Sequence, residues 1–201
     1  MGSRGKYGQR ARGQAVAALL PDGRVLVAGG DNSTGITAEI YDPVANAWTP
    51  AASMGRNHIP ARATVLQSGK VLVSGGGGLF NAGSQPELYD ANANAWSAAG
   101  VMASSLRLYH TATLLPSGKV LVVGGDPGQA TAELYDPATN SWSPAASMAI
   151  PRYAHTATLL RSGKVLVTGG YTVTSSYDSA TATVRDVRPN HRFLDDCRPY
   201  E

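Results

Sequence analysis

The chain has little of the chemistry that marks an enzyme or a crosslinked scaffold. Its single cysteine, Cys197, excludes an internal disulfide framework and any cysteine-based metal cluster. No apolar run approaches the roughly 20 residues that a membrane-crossing helix needs. Residues 14–20, apolar after a basic start, imitate a secretory leader only superficially, because they are too short and match a repeat described below. Charge is scarce at 15%, and the formal +3 is not spread over the chain. Arg4, Lys6, Arg10 and Arg12 carry it, since residues 13–184 hold 9 basic against 10 acidic side chains and residues 185–201 hold 4 of each. With a neutral body and no basic face interleaved with aromatics, neither nucleic acid nor a membrane is expected as partner. No Gly-x-Ser-x-Gly, phosphate loop or nucleophile–base–acid set stands out, so no catalytic residue, metal ligand or cofactor is expected.

Glycine, in contrast, is plentiful, with 23 residues, and it is periodic. The line Leu115-Pro116-Ser117-Gly118-Lys119-Val120-Leu121-Val122-Val123-Gly124-Gly125 recurs at residues 20–30, 66–76 and 160–170. The glycine pairs Gly29-Gly30, Gly75-Gly76, Gly124-Gly125 and Gly169-Gly170 begin 46, 49 and 45 residues apart. A period of that size means a propeller, solenoid or array in which each unit is one supersecondary element.

Each unit divides into four strand-sized pieces. In the third, residues 110–115 lead through a Pro-Ser-Gly turn into a short β-branched run ended by the glycine pair, as expected of a buried strand. A polar loop then leads to Glu133-Leu134-Tyr135, an Asp-initiated turn, and a last strand around Trp142. Tyr41 to Trp48, Tyr89 to Trp96 and Tyr135 to Trp142 are each 7 residues, so this turn keeps its length. Length varies only after the glycine pair and in the links between units, where divergence is tolerated.

The double glycine, Tyr-Asp-Pro and spaced Trp resemble the kelch repeat in its bacterial style, over about residues 14–184. That resemblance implies an all-β fold: a kelch-type β-propeller in which each repeat is a four-stranded antiparallel blade. The glycine pairs would allow close backbone approach, and Tyr41, Tyr89, Tyr135, Trp48, Trp96 and Trp142 would bury apolar area between blades. Kelch domains usually close with five to seven blades. Here three are complete, at about 14–54, 60–102 and 109–148, and 154–184 is a partial fourth. In that reading Tyr177-Asp178 follows a shortened loop, and Val184 stands where a tryptophan is expected. Residues 1–13 are a basic N-terminal extension and 185–201 a divergent polar tail. The chain is expected to be an open arc or fragment of a larger propeller, a four-bladed ring, or half of an assembly. An open blade edge would invite self-association.

In such a blade the second-to-third loop and the link to the next blade share one face. That face gathers Asp31, Asn32, Phe80, Asn81 and Asp126 from loops, and Arg56, Asn57, His58, Arg107, Tyr109, Arg152 and Tyr153 from links. Arg107 and Arg152 each lie 3 residues before a histidine, His110 or His155. A ring of guanidinium groups suits a carboxylate, sulfate or acidic peptide. In the kelch pattern, however, an arginine at this place more often braces the neighbouring loop. Phe80 suits contact with a protein or a sugar. His110 and His155 read as structural rather than as a metal pair, and the aspartates at positions 42, 90, 136 and 178 as turn residues. The function expected is a non-enzymatic module binding protein or carbohydrate on this face. The alternatives are a partial oxidase domain resembling galactose oxidase, for which Cys197 would have to supply the cysteine crosslinked to tyrosine, and a non-functional fragment. The sequence does not assign a compartment.

Overall fold

A computed structural model describes residues 14–30, 35–77, 85–104, 106–126, 128–172 and 183–185. Two compact units divide the chain, Met1–Leu106 and Arg107–Glu201. Unit 1 holds two four-stranded antiparallel sheets in simple meander order. The first contains β1 (Val16–Leu19), β2 (Val25–Ala28), β3 (Ala38–Asp42) and β4 (Ala47–Ala51). The second contains β5 (Arg62–Val65), β6 (Val71–Ser74), β7 (Glu87–Asp90) and β8 (Ala95–Ala98). Unit 2 repeats the plan with β9 (Thr111–Leu114), β10 (Val120–Val123), β11 (Ala132–Asp136) and β12 (Ser141–Ala145). Its second sheet has three described strands, β13 (Thr156–Leu159), β14 (Val165–Thr168) and β15 (Thr183–Arg185). The fold is all-β, with three complete blades and a partial fourth, one for each repeat of the sequence.

Local chemistry explains why each hairpin closes where it does. The Ser-Gly or Asp-Gly turn after the first strand puts its glycine at φ +87°, +82°, +81° and +81° in the four repeats. Side chains with a Cβ rarely adopt that conformation. The Gly118 N–H then donates to the Leu115 carbonyl at 2.9 Å, and the bond recurs in every unit. The turn after the third strand is built by Asp42, Asp90 and Asp136, whose Oδ1 atoms accept from backbone N–H groups two or three residues on. Asn46, Asn94 and Asn140 finish it in the left-handed region. Each of these asparagines accepts a hydrogen bond of 2.9 Å from the hydroxyl of the tyrosine five residues earlier.

Neighbouring sheets within a unit come together along their first strands, β1 with β5 and β9 with β13, and share a core built largely from their second strands. In unit 1, Leu26 and Ala28 share a core with Val71, Val73 and Tyr89. In unit 2, Leu121 and Val123 meet Val165 and Val167. Each such leucine or valine, fully buried, contributes about 1.5–3 kcal/mol.

Two expectations need correction. The tryptophans are half-buried rather than enclosed, while Tyr89 and Tyr135 are the fully buried rings. Trp96 lies against its cross-strand partner Tyr89 at a centroid distance of 5.0 Å and donates its Nε1–H to the Ala52 carbonyl of the preceding blade. An indole that must reach a backbone acceptor sits at the rim of the packing, not inside it. The second correction concerns the last repeat. Val184 pairs with Leu166 and Arg185 with Val165, as Leu134 pairs with Leu121 and Tyr135 with Val120. β15 is therefore a third strand and Val184 does not occupy the tryptophan's place. The loop before it is lengthened, not shortened. Tyr177 and Asp178 lie outside the described residues.

Candidate binding face

The links and the second-to-third loops converge on one end of each blade, and hydrogen bonds fix the convergence. The Met54 N–H donates to the Ile36 carbonyl, that of Met102 to Gln85 Oε1, and that of Met148 to the Ala130 carbonyl, at 2.8, 3.0 and 2.7 Å. Isolated antiparallel bridges, Ile59 with Gly77, Leu108 with Asp126 and Tyr153 with Tyr171, then tie each link to the start of its own blade's loop. Gly125 donates to the Arg152 carbonyl at 2.7 Å, so the glycine pair brings two backbones together as its sequence suggests.

The register exposes an equivalence that spacing alone had hidden. His58, Arg107 and Arg152 each stand 4 residues before the first residue of their strands, Arg62, Thr111 and Thr156. Each reaches the carbonyl of the first glycine in its blade's pair: His58 Nδ1 lies 2.8 Å from Gly75 O, Arg107 Nη1 2.6 Å from Gly124 O, and Arg152 Nη1 2.8 Å from Gly169 O. The opposing acid comes from the third strand. His58 Nε2 lies 3.0 Å from Glu87, and Arg107 Nη2 lies 2.9 Å from Glu133 and 3.0 Å from the Thr131 hydroxyl. His58 thus spans the same two kinds of partner as the Arg107 guanidinium, a glycine carbonyl and a third-strand glutamate. In the fourth blade Thr183 occupies the register place of Glu133.

All three side chains are buried, Arg107 at 0% exposure and Arg152 at 2%. They brace the loops from inside, and a ring of arginines open to an anion is not what the fold presents. Burial pulls the Arg107 guanidinium below its ordinary pKa, with Glu133 opposing the shift. Burial likewise pushes Glu87 upward, but hydrogen bonds from His58 and from the Gly55 and Arg56 N–H groups override it and hold the carboxyl below its ordinary value of 4.5. Folded Glu87 thus binds its proton at lower pH than unfolded Glu87. Its stabilising contribution is complete above pH 4.5 and is lost as pH falls through the lower folded value. Urea unfolding midpoints of the wild type are expected to drop below that pH, and Glu87→Gln should flatten the drop.

Of the other expected binding residues, Arg56 is exposed, Asn57, Asp126 and Tyr153 are half-buried, and Tyr109 is at the surface. Asp31, Asn32, Phe80, Asn81 and Cys197 lie outside the described residues. His110 and His155 are buried. His110 Nδ1 lies 3.1 Å from the Arg107 carbonyl, and His155 Nε2 lies 3.0 Å from the Thr111 hydroxyl. Among the described residues no group of three or more His, Cys, Asp or Glu could hold a metal ion. Tyr171, which sequence reasoning missed, is exposed next to Tyr153.

The opposite end of unit 1, among the tight turns, carries a cleft of about 270 Å³ lined by Pro21, Asp22, Gly69, Lys70, Asp90 and Asn92. Its charges are already neutralised in pairs, Lys70 with Asp90 at 3.1 Å and Asp22 with Arg24 at 2.7 Å. Lys119 and Asp136 repeat the first pair at 2.8 Å in unit 2, which marks it as a turn brace.

Comparison with protein families places the kelch motif at residues 14–55 and 107–149. No curated protein matches the chain.

Proposed function

We propose that this kelch-repeat chain is a non-enzymatic binding or scaffolding module, whose ligand meets the end of a unit where links and second-to-third loops converge. Kelch repeats generally mediate protein binding or scaffolding. The observation that carries the choice of face is that its exposed side chains stand on links and loops of variable length, whereas the exposed Leu19, Val44 and Leu159 stand on strands or turns of fixed length. Arg56, Val101, Tyr109, Ile150 and Tyr171 all lie on links or loops of this end, with Val101 at 74% and Ile150 at 42% exposure. On the opposite turns Asp22, Lys70, Asp90, Lys119 and Asp136 are closed in the pairs described above. Loops held on a rigid scaffold, with apolar side chains left in water, are the usual ground for recognition.

Probing peptide and glycan arrays with the purified chain tests the assignment. The triple variant Arg56→Ser, Val101→Ser, Ile150→Ser should lose at least tenfold of the captured signal. Val44→Ser, at a turn of the other end and 96% exposed, should lose none. The reverse order would move recognition to the turns.

A further inference from the structure

The described tyrosines of unit 2 are of two kinds. Tyr135 is fully buried, and its hydroxyl donates to Asn140. Tyr109, Tyr153 and Tyr171 instead lie in a row at the loop end, with ring centroids 6.4 Å and 5.6 Å apart. Tyr109 is 36% exposed and Tyr171 47%. Among the described residues none of their three hydroxyls has a hydrogen-bond partner, although such groups usually find one when the fold needs them.

The fold does not require rings at these places. Tyr109 sits in the left-handed region at φ +53°, and Ala154 makes the same turn at φ +53° in the next blade with only a methyl group. The bridge between Tyr153 and Tyr171 is matched in the preceding blade by one between Leu108 and Asp126. Two repeats thus perform the same backbone task without aromatics at the corresponding positions. A bulky side chain held in a left-handed conformation is a departure that points toward a use outside the fold. The row is also pre-positioned by backbone bonds: Ala154 donates to the Tyr109 carbonyl at 2.8 Å, and Tyr153 and Tyr171 exchange N–H donors at 3.1 and 2.9 Å.

The geometry points to a binding strip for a proline-rich segment in the polyproline II conformation, which deepens the binding-module reading and rests on it. Successive rings are tilted by 48° and 34°, giving ridges and grooves rather than one flat shelf. A polyproline II helix is a narrow, three-sided rod with three residues per turn, so one of its edges can lie along a strip of tilted rings. A proline-rich chain offers apolar pyrrolidine rings to the grooves and carbonyl acceptors without N–H donors, and the three hydroxyls supply the complementary donors. A glycan fits less well. Its stacking faces want a flat ring surface and its hydroxyls want polar side chains, whereas Arg107 is already taken up by Glu133.

The experiment is isothermal titration of the full chain with decaproline, with chitohexaose as the second probe. Saturable binding of decaproline is expected. Tyr109→Ala with Tyr171→Ala should weaken it at least tenfold at an unchanged urea midpoint, Ala154 being the precedent for alanine in that turn. Tyr109→Phe with Tyr171→Phe, which removes only the hydroxyls, should weaken it severalfold. Three results would overturn the inference: no binding of decaproline, binding undiminished in the alanine pair, or saturation by chitohexaose alone. If decaproline fails while array binding still depends on Arg56, Val101 and Ile150, the broader reading stands and only this ligand falls.

Discussion

Glu133→Ala is expected to destabilise unit 2 by about 3–5 kcal/mol, because it leaves a fully buried guanidinium without its anion. Arg107 is 0% exposed and Glu133 5%, so water cannot step in for the lost carboxylate. The Gly124 and Thr131 oxygens would remain as acceptors, but they are dipoles and cannot balance a full charge. Against a domain stability of about 5–15 kcal/mol, the loss brings the unit close to unfolding. Glu133→Gln, which keeps one acceptor, should fall in between. Removing both ends of the pair together, with Arg107→Met and Glu133→Leu, should recover most of the loss, since apolar replacements of a buried ion pair are often neutral. Lys119→Ala, which breaks the exposed pair with Asp136, should cost only about 0–1 kcal/mol. Urea midpoints of these variants decide the matter, and a Glu133→Ala loss below that of Lys119→Ala would show that the pair does not hold the loop.

The blade plan was legible because it is written in strictly local terms. A Pro-Ser-Gly turn, a valine-rich run and an Asp-led turn each state their own geometry, and the register follows from turn length. What stayed hidden was long-range pairing. The glutamate two residues before each of Tyr41, Tyr89 and Tyr135 recurs as regularly as the tyrosine, yet nothing local says that Glu87 meets His58 or that Glu133 meets Arg107. His58 is one link residue among several in the sequence, and only the register aligns it with Arg107 and Arg152. By the same count Arg12 lies 4 residues before Val16, so the basic segment ahead of the first strand carries a residue of the repeat itself. The fourth repeat misled for the opposite reason. Tyr177-Asp178 copies the local signature of a third strand, but the strand paired with β14 is Thr183–Arg185, where arginine stands in the tyrosine's place. At the candidate face, Tyr109 and Tyr153 are marked by their position on links, whereas Tyr171 directly follows a glycine pair, and only the bridge to Tyr153 places it beside them.

Gly124→Ala is expected to cost unit 2 about 2–5 kcal/mol from two sources acting on one methyl group. Gly124 has φ +64°, and placing an L side chain in that region costs about 1–2 kcal/mol. Its added Cβ would also lie 2.6 Å from the Arg152 carbonyl oxygen and 2.7 Å from His155 Cε1. Neither neighbour can retreat easily, because that carbonyl accepts from Gly125 and the His155 ring is held against Thr111. Overpacking of this kind adds about 1–3 kcal/mol. Gly163 separates the two contributions: it has φ +81° but nothing within 4 Å of the site a Cβ would occupy. Gly163→Ala should therefore show the conformational cost alone. Equal urea midpoints for the two variants would mean that the close approach at Gly124 contributes nothing, and that the second half of the glycine pair, Gly125, carries the contact between link and strand by itself.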